Sequence, residues 1–312
     1  MESPTARWTS AAVPDQHGRV AVITGANTGL GFATAEVLAA RGATVVLACR
    51  DPGRAADAVA AITAATPGAD VTCVECDLGS LDAIRRAAAE VRDRHPRLDL
   101  LINNAGVMSP ERRLTADGFE AHLGINYLGH FALTGLLLDR LLATPGSRVV
   151  TVSSVSHRQG VIHFDDLQLE RRYRWRTAYA QSKLANLLFA YELQRRLAGA
   201  PTISVAAHPG NAQTELNRRF PGQQNLLGHR RLRWLISRLV QSAEQGALTT
   251  LRAAADPQAR GGEFYGPSGW WQFTGSPVTV SSSARSHDPD VQQRLWRESE
   301  RLTGITISAP GR

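Results

Sequence analysis

Six short apolar runs, most of them followed by a stretch of helical periodicity, set the rhythm of the chain. They are RVAVIT (19–24), ATVVLA (43–48), DVTCVE (70–75), LDLLIN (98–103), SRVVTVSS (147–154) and TISVAAH (202–208). Five of the six show little alternation of apolar with polar positions, as expected of strands covered on both faces. Between them the periodicity predicts helices over 30–41, roughly 52–65, 81–94, around 118–142 and about 178–197. Strands spaced by helices of this length predict right-handed crossovers within one doubly wound α/β domain, with a parallel sheet of about seven strands and helices on both faces. This domain is expected over residues 18–305. Residues 1–17, polar and interrupted by proline, read as a flexible N-terminal extension, and 306–312 as a C-terminal tail. Leu232, Leu235, Ile236, Leu239 and Val240 recur at i, i+3, i+4, i+7 and i+8 with arginines around them, an amphipathic helix inside the segment 211–242.

Composition narrows the class. The chain has 312 residues, 43% hydrophobic and 20% charged, enough for a sizeable core and unlike a disordered or collagen-like sequence. Three cysteines cannot build a disulfide framework. No apolar run approaches the ~20 residues that cross a bilayer, and the N-terminus lacks the apolar region of a secretory signal. A cytoplasmic protein without stable membrane insertion is expected. The net charge of +7 and a pI near 10.0 raise the question of nucleic acid, but the arginines are scattered rather than gathered into a basic stripe with aromatics, so none is expected. Of 35 basic residues 34 are arginine, a usage that points to a high-GC bacterial source, and one is lysine, Lys183. A lone compact ammonium among guanidinium groups is a candidate for chemistry arginine cannot do. Cys73 and Cys76 form C-x-x-C, but the odd offset turns them to opposite faces, and His122, His130, His157, His163 and His208 show no metal-ligand spacing, so no metal site is expected.

The candidate chemistry lies at the ends of the predicted strands. TGANTGLG directly follows the first one. A tight turn, a close backbone approach and a helix N-terminus together suit a pyrophosphate, and Gly25, Asn27, Thr28, Gly29, Leu30 and Gly31 are the candidate contacts. The second strand ends Ala48-Cys49-Arg50, with no acid before Asp51. Arg50 is placed to fork onto a ribose 2′-phosphate, which favours NADP(H) over NAD(H). Tyr179 and Lys183 stand at i and i+4 on a predicted helix and share a face. An ammonium beside a phenol lowers its pKa from about 10 toward working pH, making Tyr179 a proton donor or acceptor. Ser153 and Ser154 close the fifth strand, where a hydroxyl could hold a carbonyl oxygen. Trp270, Trp271 and Phe273 read as a loop anchor or a second pocket wall.

TGANTGLG, CDL at 76–78, NNAG at 103–106, Asn126, VSS at 152–154, YAQSK at 179–183 and HPG at 208–210 occur in the order found in short-chain dehydrogenases/reductases, and the chain resembles that family over about residues 18–304. LACRD, FDDLQ, YAQSKLANLLF, AHPGNAQTEL and RLWRESERLTG resemble its branch of retinol dehydrogenases and their bacterial relatives. The resemblance implies a Rossmann-type oxidoreductase domain. It makes Tyr179 the general acid/base, Lys183 the residue that binds the nicotinamide ribose and lowers the tyrosine pKa, Ser154 the catalytic serine and Asn126 part of a water relay to the lysine. Asp77 and Leu78 would contact the adenine, and Asn104, Ala105 and Gly106 the adenosine side. Pro209, Gly210 and Thr214 join the cofactor contacts, Thr214 at the nicotinamide amide or phosphate. The interval of 25 residues from Ser154 to Tyr179 is longer than usual for the family, and this branch carries a similar insertion. The resemblance also makes 211–242 a substrate lid, against an ordinary surface helix or a membrane-surface helix, and implies homo-oligomers through the helices near 118–142 and 178–197, or monomers as in some of this branch. The expected function is NADP(H)-dependent interconversion of a carbonyl and an alcohol on a fairly apolar small molecule, acting as a ketoreductase. The alternative is a non-catalytic dinucleotide-sensing or scaffold protein of the same fold, which would have no need of Ser154, Tyr179 and Lys183.

Overall fold

The computed structural model describes residues 7–211 and 241–308. Eight strands form one sheet in the order β3-β2-β1-β4-β5-β6-β7-β8. They are β1 (Val20–Thr24), β2 (Thr44–Cys49), β3 (Val71–Glu75), β4 (Leu100–Asn103), β5 (Arg148–Val152), β6 (Ile203–Ala207), β7 (Phe264–Pro267) and β8 (Pro277–Thr279). The first seven run parallel and β8 returns antiparallel beside β7, so the sheet has one strand more than the sequence suggests and a mixed edge. The order reverses at β1, where β2 and β4 flank it, and the carboxyl ends of the strands there open the crevice in which such folds bind ligands.

The helices are α1 (Gly29–Ala40), α2 (Pro52–Ala65), α3 (Leu81–Arg94), α4 (Ala121–Leu123), α5 (Gly129–Leu142), α6 (Trp175–Arg196), α7 (Ala243–Ala255) and α8 (Pro289–Thr303). The missing alternation in the strands has a simple cause: successive residues feed opposite cores. Val20 and Val22 join the layer under α3, α5, α6 and α8, whereas Ala21 and Ile23 join the layer under α1, α2 and α7. Cys73 and Cys76 likewise pack into different layers.

The helix expected around 118–142 is broken. A π turn, Gly124–Leu128, separates α4 from α5 and closes with Gly129 N–H on Gly124 O. Both flanking glycines are needed: a Cβ on Gly124 would lie 2.6 Å from Thr115 Cγ2, and one on Gly129 2.5 Å from Leu78 O.

Both expected loose ends make contacts in their described parts. Val13 is buried in the α1/α2/α7 layer, Gln16 N donates to Arg41 O at 2.8 Å, and Arg41 Nη2 donates to Ser10 O at 3.1 Å. The sole strongly apolar residue among 9–17 fills a gap that the surrounding polar sequence conceals. Ile307, in the expected tail, is buried with Ile305 against Gly135 of α5. α8 lies across α5 and α6, with Trp296 buried, stacked on Phe189 and edge-on to Phe131, and Tyr127 and Ser299 sharing a hydrogen bond of 2.6 Å. Among the described residues no helix is long and apolar enough to cross a membrane.

Candidate active site

The turn from β1 into α1 forms a cradle that only glycine can line. Gly25 and Gly29 adopt left-handed backbone, at φ +63° and +59°. A Cβ on Gly31 would stand 2.5 Å from Gly25 O and 2.6 Å from Asn104 Nδ2. Asn27, Thr28 and Leu30 are half-buried along its rim. Thr28, the N-cap of α1, makes no side-chain cap, whereas Asp51, Ser80, Ser242 and Asp288 cap α2, α3, α7 and α8. The first N–H groups of α1 are thus not taken by a capping side chain, and the helix dipole adds positive potential where they point. Thr24 fastens the neighbouring turn: its Oγ1 accepts from Asn104 N and Ala105 N at 2.9 Å each, and Asn104 Nδ2 donates to Thr24 O at 2.8 Å. A pyrophosphate fits such a cradle.

At the far end Arg50 is exposed just beyond β2. Asp51, the next residue, accepts from Arg54 N at 3.1 Å as the N-cap of α2. Asp77 Oδ1 accepts from Gly79 N at 2.9 Å, and Leu78 turns its side chain into the core.

The structure brings Asn126, Ser154, Tyr179 and Lys183 together. α6 is stitched to the end of β5 by three bonds: Ser153 Oγ to Lys183 O at 2.7 Å, and Lys183 Nζ and Asn186 Nδ2 to Val152 O at 3.2 and 3.0 Å. Ser153 is thereby consumed in holding the helix, whereas the Ser154 hydroxyl accepts from Ser156 N at 3.2 Å and also interacts with the Tyr179 hydroxyl. His157 steadies Ser154 from behind, with Nδ1 2.7 Å from Ser154 O. Lys183 Nζ lies 5.8 Å from the Tyr179 ring centroid, and a Cβ on Gly106 would be 3.5 Å from it and 3.4 Å from Asn126 Oδ1. Asn126 grips Val107 from both sides, Oδ1 accepting from its N–H at 2.7 Å and Nδ2 donating to its carbonyl at 3.1 Å, and it also donates to Ser182 Oγ at 3.1 Å.

Burial lowers Lys183 to about 8. It also raises the Tyr179 phenol, although the Ser154 hydrogen bond pulls the other way. The lowering of the phenol expected from the sequence is not found in the protein by itself, because withdrawing a phenolate from water costs more than that hydrogen bond returns.

Pro209 and Gly210 follow β6, and a Cβ on Gly210 would meet Phe273 O at 2.3 Å. Asn211 N donates to Phe273 O at 2.8 Å, and His208 Nε2 lies 3.1 Å from Gln272 Oε1. The loop between β7 and β8 is thus fixed beside this strand end, with Trp271 and Gln272 in left-handed backbone and Trp270 and Trp271 exposed. Thr214 and the amphipathic pattern of the expected lid lie outside the described residues.

Two contributors escape sequence reasoning. Thr24 looks like an ordinary strand residue. His130 stands out in the sequence only as a metal ligand without partners, yet its Nδ1 lies 3.0 Å from Asn126 O and its Nε2 2.8 Å from Thr24 Oγ1, linking the π turn to the cradle. Burial lowers it to about 4, so it serves as a neutral donor–acceptor. The available signal is its position four residues after Asn126, directly behind Gly129. Among the described residues no group of three or more His, Cys, Asp or Glu could hold a metal.

A parallel sheet whose strand ends combine a glycine cradle with a half-buried tyrosine beside a buried lysine has the architecture of a dinucleotide-dependent oxidoreductase. The short chain dehydrogenase family model matches residues 19–225, and the chain belongs to that family. It is 45% identical over 290 residues to human Retinol dehydrogenase 12, covering 92% of this chain and 87% of the relative. It is 43% identical over 298 residues to mouse Polyprenol dehydrogenase, covering 94% and 86%. A crystal structure of an uncharacterized Mycobacterium paratuberculosis protein superposes with a TM-score of 0.79 at 42% identity, covering 96% of this chain and 99% of that one. The chain falls in the retinol dehydrogenase-like branch. It is an oxidoreductase acting on alcohol and carbonyl groups, with a nicotinamide dinucleotide as cofactor.

Proposed function

We propose that the protein is an NADP(H)-dependent reductase of apolar carbonyl compounds, with Tyr179 as the proton donor. The observation that carries this reading is the burial of the chain's single lysine between the Tyr179 ring, Val152 O and Gly106. Burying an ammonium is costly, and here it faces the one phenol that shares a hydrogen bond with a strand-end serine. When bound, the dinucleotide supplies hydride from its nicotinamide. Ser154 holds the substrate oxygen, Tyr179 delivers the proton to it, and Lys183 stabilises the resulting phenolate while binding the adjacent ribose. Asn126 fixes Val107 beside the ammonium. Gly25, Asn27, Thr28, Gly29, Leu30 and Gly31 hold the pyrophosphate, and Asp77, with the main chain of Leu78, the adenine end. Asn104, Ala105 and Gly106 line the adenosine side, while Pro209, Gly210 and Thr214 complete the nicotinamide end. Arg50 receives the 2′-phosphate, because Asp51, the acid that follows it, is engaged as a helix cap. A reduced cytoplasmic NADP pool favours reduction.

The names of the two mammalian relatives denote long apolar polyene or isoprenoid alcohols, which supports an apolar isoprenoid aldehyde or ketone as substrate. The test is NADPH fluorescence titration followed by a carbonyl panel that includes retinaldehyde. Turnover should vanish in Tyr179→Phe with NADPH affinity within about twofold of wild type. Retained turnover removes Tyr179 from the mechanism, and binding without turnover of any carbonyl favours a dinucleotide sensor.

A further inference from the structure

A second concentration of buried polar chemistry lies beside this site. Glu120 and His122, immediately before the π turn, have no solvent exposure. His122 Nδ1 is 2.7 Å from Glu120 Oε1, and His122 Nε2 accepts from Ser109 N at 3.1 Å. A backbone N–H aimed at Nε2 requires a lone pair there, so the proton sits on Nδ1 and is donated to the carboxylate. Glu120 also accepts from His122 N at 3.0 Å and Leu123 N at 2.9 Å, and its own N–H donates to Gln168 Oε1 at 2.7 Å. Burial alone would raise the Glu120 carboxyl, but these hydrogen bonds outweigh it and hold the group below its ordinary value. The Tyr173 hydroxyl closes the cluster, 3.3 Å from His122 Nδ1 and 3.4 Å from Ser109 O. Gln168 and Tyr173 come from the insertion between Ser154 and Tyr179, so that insertion is built into the cluster.

What this cluster touches decides its role. The His122 ring meets the Tyr179 ring edge-on, with centroids 6.1 Å apart at 77°. It also pins Ser109, while Asn126 pins Val107 two residues earlier. The short segment following Gly106, past the Lys183 ammonium, is therefore gripped at both ends.

We propose that His122, held in one tautomer by Glu120, is a positioning residue that sets the angle of the Tyr179 ring and the placement of residues 107–109 opposite it. The proposal rests on Tyr179 being the proton donor.

The test measures kcat and KM for reduction of retinaldehyde, or of the panel carbonyl turned over fastest, together with NADPH affinity. His122→Phe keeps a planar ring but takes the ring donor away from the Glu120 carboxylate, which keeps its two backbone N–H partners, and leaves the Ser109 N–H unpaired. It should lower kcat about tenfold or more while NADPH affinity stays within about twofold. His122→Gln retains one donor and one acceptor and should recover kcat to within about threefold of wild type. A kcat unchanged in His122→Phe overturns the proposal, as does a loss that is equal in both variants and runs parallel to NADPH affinity. Where His122→Phe does not fold, Glu120→Gln decides. It removes the charge that orients Nδ1, and an unmoved kcat overturns the proposal. Tyr179→Phe, run alongside, separates the two ideas: its retained turnover sinks the proton-donor reading and this proposal with it. An inactive Tyr179→Phe beside a fully active His122→Phe sinks only the positioning role.

Discussion

Lys183→Met should make the protein more stable while removing its turnover. Burial displaces the Lys183 ammonium from its ordinary value of 10.5 to about 8. That displacement corresponds to about 3 kcal/mol of folded-state cost carried by the charge. The hydrogen bond from Nζ to Val152 O offsets about 1 kcal/mol of this, and in the variant that carbonyl still accepts from Asn186 Nδ2. Methionine fills nearly the same volume without a charge, so the net gain at pH 7 is about 2 kcal/mol, or about 3 °C in Tm for a chain of this length. The sign with pH follows from the direction of the displacement. Below about 8 both folded and unfolded chains hold the proton, and the wild type bears the full cost. Between about 8 and 10.5 the folded chain has released it and the unfolded chain has not, so wild-type stability rises and the variant's advantage shrinks. The assay is thermal unfolding of wild type and variant without added cofactor at pH 7 and pH 9.5. A variant that melts below the wild type at pH 7, or an advantage undiminished at the higher pH, would refute the reasoning.

Arg50→Ala should weaken NADPH binding by about tenfold or more and NADH by about twofold or less, read by fluorescence titration, since one phosphate fork is removed from only one ligand. Equal losses would take Arg50 away from the 2′-phosphate. Gly31→Ala places a methyl 2.5 Å from Gly25 O, a backbone atom that cannot swing aside. Dinucleotide binding should fall below detection while the sheet's circular dichroism is retained. Trp296→Ala should cost about 3–5 kcal/mol, because the ring is fully buried between α5 and α6 and carries the Arg196 guanidinium 4.1 Å from its centroid. Chemical unfolding measures this loss.

Six strands of one parallel sheet were legible because their short apolar runs carry their own composition, five of them buried on both faces. β7 and β8 were not, since FYGP and PVT are three or four residues broken by glycine and proline, and pairing of β7 with β6 and of β8 with β7, rather than local preference, makes them strands. The glycine cradle and the Tyr179–Lys183 spacing were readable as residue types at fixed offsets. The direction of the Tyr179 pKa was not, because desolvation depends on what the fold packs around the ring. Ser153 and Ser154 are chemically identical in sequence; the family resemblance singles out Ser154, and the bond from Ser153 to Lys183 O gives the physical reason for the division. His122 and His130 were visible as residues but not as relays, since their partners lie on other segments.

The way α8 rests on α5 and α6 ties the chemistry to a distant stretch of chain. The aromatic wedge formed by Phe131, Phe189 and Trp296 spans two helices that approach the reaction centre and a third more than ninety residues beyond Lys183. The helix bearing the phenol and the ammonium cannot finish its apolar seat until that third member docks. Competence for catalysis thus depends on the C-terminal helix being docked. A product truncated ahead of residue 289 would expose greasy rings rather than persist as a half-built enzyme, marking itself for clumping or degradation.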